Sequence, residues 1–217
     1  MSARGKAAGR KGKRQRRTVG LVVEGETEFR ALPVLMKLPG CPALKPINLG
    51  GVGGDVTAAG VARRARPQVV THIVAGRKTV VVCIDREKRE ACAGEFAQAV
   101  ARALEGELES AGGAARWGEY QVSVVVADRS FEAWLLADAR GLHQRKVFRQ
   151  APKFHGFEGA RGKQGRLGVV EIGELWGRAY DKAGDGRELF DKVSFKQARV
   201  PGEGSRSLDK LLRTLGI

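Results

Sequence analysis

The 217-residue sequence predicts an α/β protein built on a parallel β-sheet with helices on both faces. Three short runs of mostly valine and isoleucine, at residues 18–23, 79–84 and 121–126, have the continuous apolar character of buried strands. Helix-like segments separate these runs, which is the pattern of a parallel sheet covered by crossover helices. The length suits one domain, or one domain with an appendage, and a chain of this size buries roughly 70% of its unfolded surface.

The first half of the predicted sheet contains two strands and two helical regions. After the first strand, a helix is expected over residues 27–37. A weak strand follows at residues 46–49. Asp55 is then expected to cap a helical region over residues 56–76, in one or two pieces, with Pro67 as the expected break.

The second half continues the alternation of strands and helices. A helix rich in Ala and Glu is expected over residues 90–111, after the central strand. After the third strand, residues 130–138 predict a short amphipathic helix with Ser130 as its N-cap. We therefore expect a domain over residues 18–140 and a helical or irregular C-terminal extension, residues 141–217, packed on it.

Charge is unevenly distributed along the chain. The sequence has 39 basic and 24 acidic residues, a net charge of +15. Residues 1–17 hold eight of the basic residues and no acidic one, which predicts a disordered basic arm. The rest of the chain still carries an excess of positive charge. This charge favours nucleic acid as a partner, because basic residues release counterions from phosphates. The alternative is that the charge serves solubility alone.

Composition argues against a membrane or secreted protein. No apolar run approaches the roughly 20 residues of a membrane-spanning helix, and no apolar stretch follows the basic N-terminus before Thr18. Cys41, Cys83 and Cys92 form no C-x-x-C pair, and the three histidines give no zinc spacing. We expect a soluble cytoplasmic protein with reduced thiols and no membrane partner.

Acidic residues directly follow each of the three strong strands. Because the carboxyl ends of parallel strands meet at one edge of a sheet, these side chains should converge there. Carboxylate oxygens suit Mg²⁺ or Mn²⁺ rather than zinc. For a single motif, helix-dipole stabilisation or turn formation is an adequate alternative, but neither requires acid after every strand. The residues concerned are Glu24, Glu28, Asp85, Glu87 and Glu132, with Asp128 and Ser130 beside them.

Three of these carboxylates are the catalytic candidates: Glu24, Asp85 and Glu87. Glu24 stands at a strand tip before Gly25, where a ligand can approach the backbone, and is a candidate metal ligand or general base. Glu28 returns to the same site if the turn tightens into a helix. Asp85 is the strongest candidate metal ligand. Glu87, two residues on, returns to the same side of an extended segment.

Together these motifs resemble the TOPRIM superfamily, and more narrowly the small TOPRIM-like proteins of unknown function related to OLD-type and RloB-type nucleases. The motifs lie within about residues 18–140, and a looser match follows in the tail. They are Val-Val-Glu24-Gly-Glu-Thr-Glu28, Ile-Asp85-Arg-Glu87 and Ser130-Phe-Glu132-Ala-Trp-Leu-Leu-Ala, then Tyr180-Asp-Lys182 and Ser205-Arg-Ser-Leu-Asp-Lys-Leu-Leu212.

The resemblance implies a Rossmann-like sheet and a divalent-metal site that acts on nucleic-acid phosphodiesters. It makes Glu24 the TOPRIM glutamate, Glu28 an additional OLD-type ligand, and Asp85 the first aspartate of Asp-x-Asp. Glu132, with Ser130 nearby, completes the metal shell. The sequence departs from the family pattern at Glu87, which replaces the second aspartate. Such proteins are often associated with an ATPase in anti-phage defence. Here the ATPase is expected to be a separate protein, because the sequence has no Walker A motif.

The function predicted from these features is hydrolysis of DNA or RNA phosphodiesters with Mg²⁺ or Mn²⁺. Lys182 and Lys192 are candidates to approach the site from the tail. A non-catalytic nucleic-acid-binding or regulatory partner of an ATPase is the main alternative. A strand-joining enzyme needs a tyrosine nucleophile and a larger chain. The basic residues expected at the nucleic acid are Arg10, Lys11, Lys13, Arg14, Arg16, Arg17, Arg86, Lys88 and Arg89.

Overall fold

The protein folds around a four-stranded, fully parallel sheet with the strand order β2-β1-β3-β4. The computed structural model describes residues 17–110, 119–153, 158, 165–201 and 204–217. The strands are Thr18–Val23 (β1), Ala43–Asn48 (β2), Thr79–Asp85 (β3) and Gln121–Ala127 (β4). The register places Val23 beside Cys83, and Asp85 beside Ala127, so β1, β3 and β4 end along one edge. The predicted parallel α/β sheet is confirmed.

Helices cover both faces of the sheet. They are Glu26–Ala31 (α1), Ala58–Val74 (α2), Ala93–Leu108 (α3), Phe131–Leu136 (α4), Ala139–Gln144 (α5), Gly165–Trp176 (α6), Lys182–Lys192 (α7) and Arg206–Leu215 (α8), with 3₁₀ turns at Leu32–Lys37 and Gln197–Arg199. None of the helices in the described ranges has both the length and the apolar character needed to cross a bilayer.

Each face of the sheet has its own apolar core, as the alternation of side chains along a strand requires. Val80 and Val82 belong to the core beneath α2 and α3. Val81 belongs to the opposite core, with Trp134 and Phe190 from the helices that follow β4. The central strands are therefore buried on both sides, which explains their uninterrupted apolar sequence.

The helix boundaries differ from the sequence predictions at three places. The helix expected over residues 27–37 is α1 followed by a 3₁₀ turn, and the change comes just before Pro33, which has no N–H for an α-helical bond. Thr57, not Asp55, caps α2: its hydroxyl accepts a hydrogen bond from Gly60 N at 3.2 Å.

Pro67 does not interrupt α2, which runs unbroken through it. Pro67 lies on the exposed side of the helix, where water can bond the carbonyl that the proline leaves unpaired. Ala65 and Val69 on either side are fully buried and keep the helix packed against the sheet. Tertiary packing thus overrides the local helix-breaking tendency of proline.

The C-terminal helices pack on the sheet and on the helices nearest its carboxyl edge. α7 contacts α1, α6 contacts α4, and α8 contacts β4. Ser205 caps α8 by accepting a hydrogen bond from Leu208 N at 2.9 Å, and Gly216 ends it with a positive φ of 81°. This packing carries the start of α7, at Lys182, to the edge where the strands end.

Candidate metal centre

Four acidic side chains are buried together at the carboxyl edge of the sheet. Glu24 follows β1, Glu28 lies one turn into α1, Asp85 ends β3, and Glu132 lies in α4. Their exposed fractions are 8%, 7%, 7% and 0%. Acidic residues are rarely buried unless they are paired or bind a cation, so this arrangement is unusual for four carboxylates at once.

Glu24 is held rigidly across β1 and β3. Its backbone N–H donates to Cys83 O at 3.1 Å, which extends the ladder one residue beyond β1. Its Oε2 accepts a hydrogen bond from Asp85 N at 2.9 Å, and its Oε1 a longer one from Val52 N at 3.4 Å. The Glu24 carboxylate is therefore fixed directly beside the backbone of Asp85.

Glycine makes room for Glu28. Gly25 occupies the N-cap position of α1, and a Cβ there would lie 3.1 Å from Glu28 Oε2. The absence of a side chain at Gly25 lets the Glu28 carboxylate fold back toward Glu24, as the Glu-Gly-x-Thr-Glu spacing predicts.

Ser130 and Glu132 enter the site from the start of α4. Ser130 stands at the N-cap position as predicted, but its hydroxyl makes no capping bond. The Ser130 hydroxyl and Glu132 Oε1 are buried without a hydrogen-bond partner among the described residues. Gly168 of α6 packs directly over them, since a Cβ there would lie 3.0 Å from Glu132 Cβ. Buried polar atoms are normally hydrogen-bonded, so these oxygens are available to a further partner at this place.

Lys182 supplies positive charge to this acidic cluster. Its Nζ lies 3.1 Å from Glu132 Oε2, and its side chain is 42% exposed. Burial alone would lower the pKa of Lys182, but the charges of Glu132, Asp85 and Glu28 raise it, so the ammonium stays protonated. Lys192, the other tail candidate, instead pairs with Glu188 at 2.6 Å on the surface of α7.

The carboxylates disfavour one another's ionisation. Burial raises the pKa of Asp85 well above its ordinary value, and the charges of Glu28, Glu132 and Glu24 raise it further. Burial likewise raises the pKa of Glu28 to about 7, with Glu132 and Glu24 adding to it. Burial is also the main cause of the raised pKa of Glu24, and the hydrogen bond from Asp85 N lowers that pKa in part. The charges of Lys182 on Asp85 and Glu28, and of Arg89 on Glu24, act in the opposite direction but do not cancel these shifts.

This donor set fits a hard divalent cation, which prefers carboxylate oxygens. The excess of carboxylates over lysine and the unpartnered oxygen of Glu132 both favour an added positive charge at this place. Within the described ranges, no three acidic, histidine or cysteine side chains are yet drawn together as they are around a bound ion. Cation binding would therefore require changes of side-chain rotamer. The simplest such change is the release of Glu132 from its ion pair with Lys182.

Tyr180, the first residue of the Tyr180-Asp-Lys182 motif, is a buried neighbour of the carboxylates. Its hydroxyl has no hydrogen-bond partner among the described residues. Burial raises its pKa strongly, and the charges of Glu132 and Glu28 add to this effect, so the group stays a neutral phenol. A Cβ at Gly186 would lie 3.1 Å from the hydroxyl, so this glycine lets α7 pack against it. In the sequence, the Tyr180-Asp-Lys182 motif is the pattern that predicts Tyr180 close to Lys182, at the start of α7.

Glu87 lies at the side of the site nearest Glu24, and its charge contributes to the raised pKa of Glu24. Its backbone has a positive φ of 47°, unusual for a residue other than glycine, and its N–H donates to Arg129 O at 2.7 Å. A Cβ at Gly54 would lie 2.3 Å from Glu87 Oε2, so the carboxylate rests over that glycine. The glutamate side chain is one methylene longer than that of aspartate. It is accommodated by the glycine cluster after β2, residues 50–54.

Two predicted nucleic-acid contacts, Arg86 and Arg89, make bonds within the protein. Arg86 is buried, and its Nε lies 2.7 Å from Asp128 Oδ1, so Asp128 supports Arg86 rather than reaching the carboxylates. Arg89 joins the loop after β3 to the glycine cluster: Nη1 donates to Asp85 O at 2.8 Å and Nη2 to Gly53 O at 2.7 Å. Arg86 is thus an internal ion-pair partner, whereas Arg89 is half-buried and bonded to backbone carbonyls, and its contact with nucleic acid stays a prediction.

Of the other predicted nucleic-acid contacts, the structure describes Lys88 and Arg17. Lys88 is exposed beside the site. Arg17 is exposed and donates to Leu215 O at 2.9 Å, so it anchors the chain to the end of α8. The remaining ones lie outside the described residues; they are Arg10, Lys11, Lys13, Arg14 and Arg16.

Comparisons with known proteins give one structural similarity. No family model matches the sequence, and no curated protein matches it. Among solved structures, the chain is similar to the C-terminal region of the Burkholderia pseudomallei OLD protein, with a TM-score of 0.42 and 13% sequence identity. The match covers 93% of this chain and 97% of that one. At this level of similarity the comparison assigns no site residue.

We expect Glu28→Gln to stabilise the metal-free protein at pH 8 and to have little effect at pH 4.5. The folded-state pKa of Glu28 is raised from 4.5 to about 7, so the folded protein holds this proton more tightly than the unfolded chain. Its contribution to stability is complete below pH 4.5 and is lost as the pH rises through 7. The loss amounts to at most ~3 kcal/mol in the free energy of unfolding.

Thermal melting in EDTA at the two pH values measures this effect. The matched control is Glu26→Gln, because Glu26 lies in the same helix but pairs with Arg30 on the surface. Equal melting temperatures for Glu28→Gln and the parent protein at pH 8 would show that the Glu28 carboxylate is not strained by its surroundings.

If Glu87 binds the cation, Gly54→Ala should lower activity as much as Glu87→Gln does. The added methyl group would displace the Glu87 carboxylate without touching any other atom within 3 Å. We expect a loss of roughly 10-fold from each change, and a smaller loss from Glu87→Asp, which keeps the charge. Steady-state cleavage rates test this series. Full activity in Glu87→Gln would mean that Glu87 is only a surface residue.

Proposed function

We propose that the protein is a nuclease that hydrolyses DNA or RNA phosphodiesters with Mg²⁺ or Mn²⁺, as the TOPRIM resemblance implies. The observation that carries the proposal is the burial of Glu24, Glu28, Asp85 and Glu132 at one edge of the sheet, with Lys182 as their cationic neighbour. Ligands bind beyond the carboxyl ends of the strands in such sheets. A purely structural role would not require four carboxylates at this edge.

The four carboxylates are the proposed ligands, with Glu87 at the side of the site. When bound, a divalent cation would supply a Lewis acid that polarises the phosphoryl group and lowers the pKa of water. As the alternative to binding the cation, Glu24 is placed to accept a proton, because burial raises its pKa and the Asp85 N–H fixes its orientation. Lys182 would stabilise the negative charge that develops on the phosphoryl oxygens.

Charge on the rest of the chain supports a polyanionic substrate. The net charge is +15, and the basic residues before Thr18 would add affinity for phosphates without sequence preference. Lys88 is exposed beside the site. A separate ATPase partner and a role in anti-phage defence are further proposals, and they rest on the motif resemblance alone.

A second candidate function is a non-catalytic nucleic-acid-binding or regulatory partner of an ATPase. The observation that favours it is the Lys182–Glu132 ion pair, which partly neutralises the site without a metal. In this function the carboxylates would be a structural cluster. Nucleic acid would then bind without cleavage, and Asp85→Asn would bind it as the parent protein does.

Incubation of the purified full chain with plasmid, single-stranded DNA and tRNA tests the proposal. Each substrate is treated with Mg²⁺, Mn²⁺ or EDTA, and Asp85→Asn serves as the matched control. We expect cleavage of at least one substrate with metal and none in EDTA. Equal cleavage in EDTA, or binding of all three substrates without cleavage, would contradict a metal-dependent nuclease.

A further inference from the structure

We propose that Ser207 of α8 is a positioning residue for Glu132. Its hydroxyl holds both ends of the turn that carries Ser130 and Glu132, and so sets where the Glu132 carboxylate stands. The effect on metal binding and turnover rests on the proposed function, whereas the effect on the turn itself does not.

Two hydrogen bonds join Ser207 to the turn. Asp128 N, just after β4, donates to Ser207 Oγ at 3.2 Å, and Trp134 Nε1, in α4, donates to the same oxygen at 2.7 Å. Glu132 lies between these two donors in the sequence. One side-chain oxygen therefore connects the end of a strand to the helix that follows it, across the segment that enters the site.

The orientation of the Ser207 hydroxyl is fixed by Glu158. A serine hydroxyl has one donor and two acceptor positions. Its two acceptor positions serve Asp128 and Trp134, and its proton is donated to Glu158 Oε1 at 2.5 Å. Glu158 also accepts hydrogen bonds from Arg206 N at 2.9 Å and Ser207 N at 3.2 Å, which fixes the first turn of α8.

Burial makes these bonds consequential. Trp134 is fully buried and Ser207 is 7% exposed, so the serine oxygen is the acceptor that the fold provides for the indole N–H. Without the hydroxyl, the indole N–H of Trp134 would be left unsatisfied in the core, and buried donors rarely stay unpaired. The turn would shift to find another partner.

Other polar restraints act on the first part of the turn, where Asp128 pairs with Arg86 and Arg129 O accepts from Glu87 N, whereas Ser207 reaches beyond Glu132 to Trp134. α4 has only six residues, and the Ser130 side chain gives it no cap. Glu132 has Lys182 as its charged partner, and Lys182 is partly exposed. Groups that support metal ligands typically contribute 10- to 100-fold to metal affinity or activity. We assign Ser207 such a role because it is the side chain that links Asp128 to Trp134.

The test compares Ser207→Ala with Ser205→Ala and Ser207→Thr. Ser205→Ala is the control: Ser205 caps α8, contacts Glu158 and lies 3.2 Å from Ser207 Oγ, but bonds neither Trp134 nor Asp128, so it removes a neighbouring hydroxyl without touching the turn. Ser207→Thr keeps the hydroxyl. The readouts are hydrogen exchange of the Trp134 indole N–H, the ¹³C shift of the Glu132 carboxyl group in metal-free protein, Mn²⁺ affinity and cleavage rate.

We expect Ser207→Ala to speed indole exchange, to move the Glu132 carboxyl resonance and to weaken Mn²⁺ binding by roughly 10-fold. Ser205→Ala should leave the Glu132 resonance and Mn²⁺ affinity unchanged, and Ser207→Thr should restore both. If Ser207→Ala does not fold, Glu158→Gln, at a partly exposed position, should give a smaller change of the same kind.

An unchanged Glu132 resonance in Ser207→Ala, or an equal change in Ser205→Ala, would overturn the assignment. These two results come from the metal-free protein and do not depend on the proposed nuclease activity. If the parent protein bound no Mn²⁺ while the Glu132 resonance still responded to Ser207→Ala alone, the proposed function would fail and the positioning role would stand.

Discussion

Replacement of Asp85 by asparagine should lower metal-dependent cleavage by about a thousandfold, more than the 10- to 100-fold expected for a residue that only supports a ligand. Asp85 ends β3, and its backbone N–H donates a hydrogen bond to the Glu24 carboxylate. The two residues are therefore held next to each other. Glu24→Gln should have a similar effect. Asparagine and glutamine keep the size and much of the hydrogen bonding but remove the charge.

The same substitution should leave the fold intact and raise its stability in EDTA at pH 8. Burial and neighbouring carboxylates raise the pKa of Asp85, so replacing the ionisable group removes the cost of charging it among them. Asp55→Asn is the control, because Asp55 is exposed in the nearby loop. Cleavage rates and melting temperatures measured together test this prediction. Undiminished cleavage in Asp85→Asn would remove Asp85 from the catalytic machinery.

Lys182→Met should lower the cleavage rate by roughly a hundredfold while Mn²⁺ affinity is kept or increased. The ammonium is proposed to stabilise charge on the phosphoryl oxygens, and the loss of one such group commonly reduces turnover by a factor of 10²–10³. It also competes with a divalent cation for Glu132, whose Oε2 lies 3.1 Å from Lys182 Nζ. Removing it therefore separates catalysis from metal binding.

Lys192→Met is the matched control, because Lys192 lies at the other end of α7 and pairs with Glu188 on the surface. The measurements are the cleavage rate at saturating Mn²⁺ and the Mn²⁺ dissociation constant. In EDTA, Lys182→Met should also be less stable at pH 8, since Glu132 loses its counter-charge. A cleavage rate equal to that of Lys192→Met would exclude Lys182 from the reaction.

The fold could be predicted from the sequence because its signals are local. Buried parallel strands leave apolar runs, and β1, β3 and β4 lie within one residue of the predicted limits. The carboxylates could be predicted for the same reason, since each directly follows a strand or begins the next helix. Their roles as ligands remain predictions that a metal-binding titration tests.

What could not be predicted depends on contacts between distant parts of the chain. The choice of Lys182 over Lys192 follows from the packing of α7 on α1, and no local pattern reveals it. Arg86 has the sequence appearance of a surface base, yet Asp128, on the adjacent strand end, buries it. Pro67 has the appearance of a helix break, yet its packed neighbours hold α2 together.

Metal binding is a more direct test of this account than cleavage, because a cleavage assay also depends on the right substrate and on any partner ATPase. Binding depends only on the chain itself. We propose that Glu24, Glu28, Asp85 and Glu132 are buried together because they bind a divalent cation.

The decisive measurement is a calorimetric titration of the metal-free protein with Mn²⁺ at pH 7.5, beside Asp85→Asn and Asp55→Asn. We predict saturable binding of about one or two ions per chain, kept in Asp55→Asn and lost in Asp85→Asn. No saturable binding by the parent protein, or equal binding by Asp85→Asn, would contradict the account.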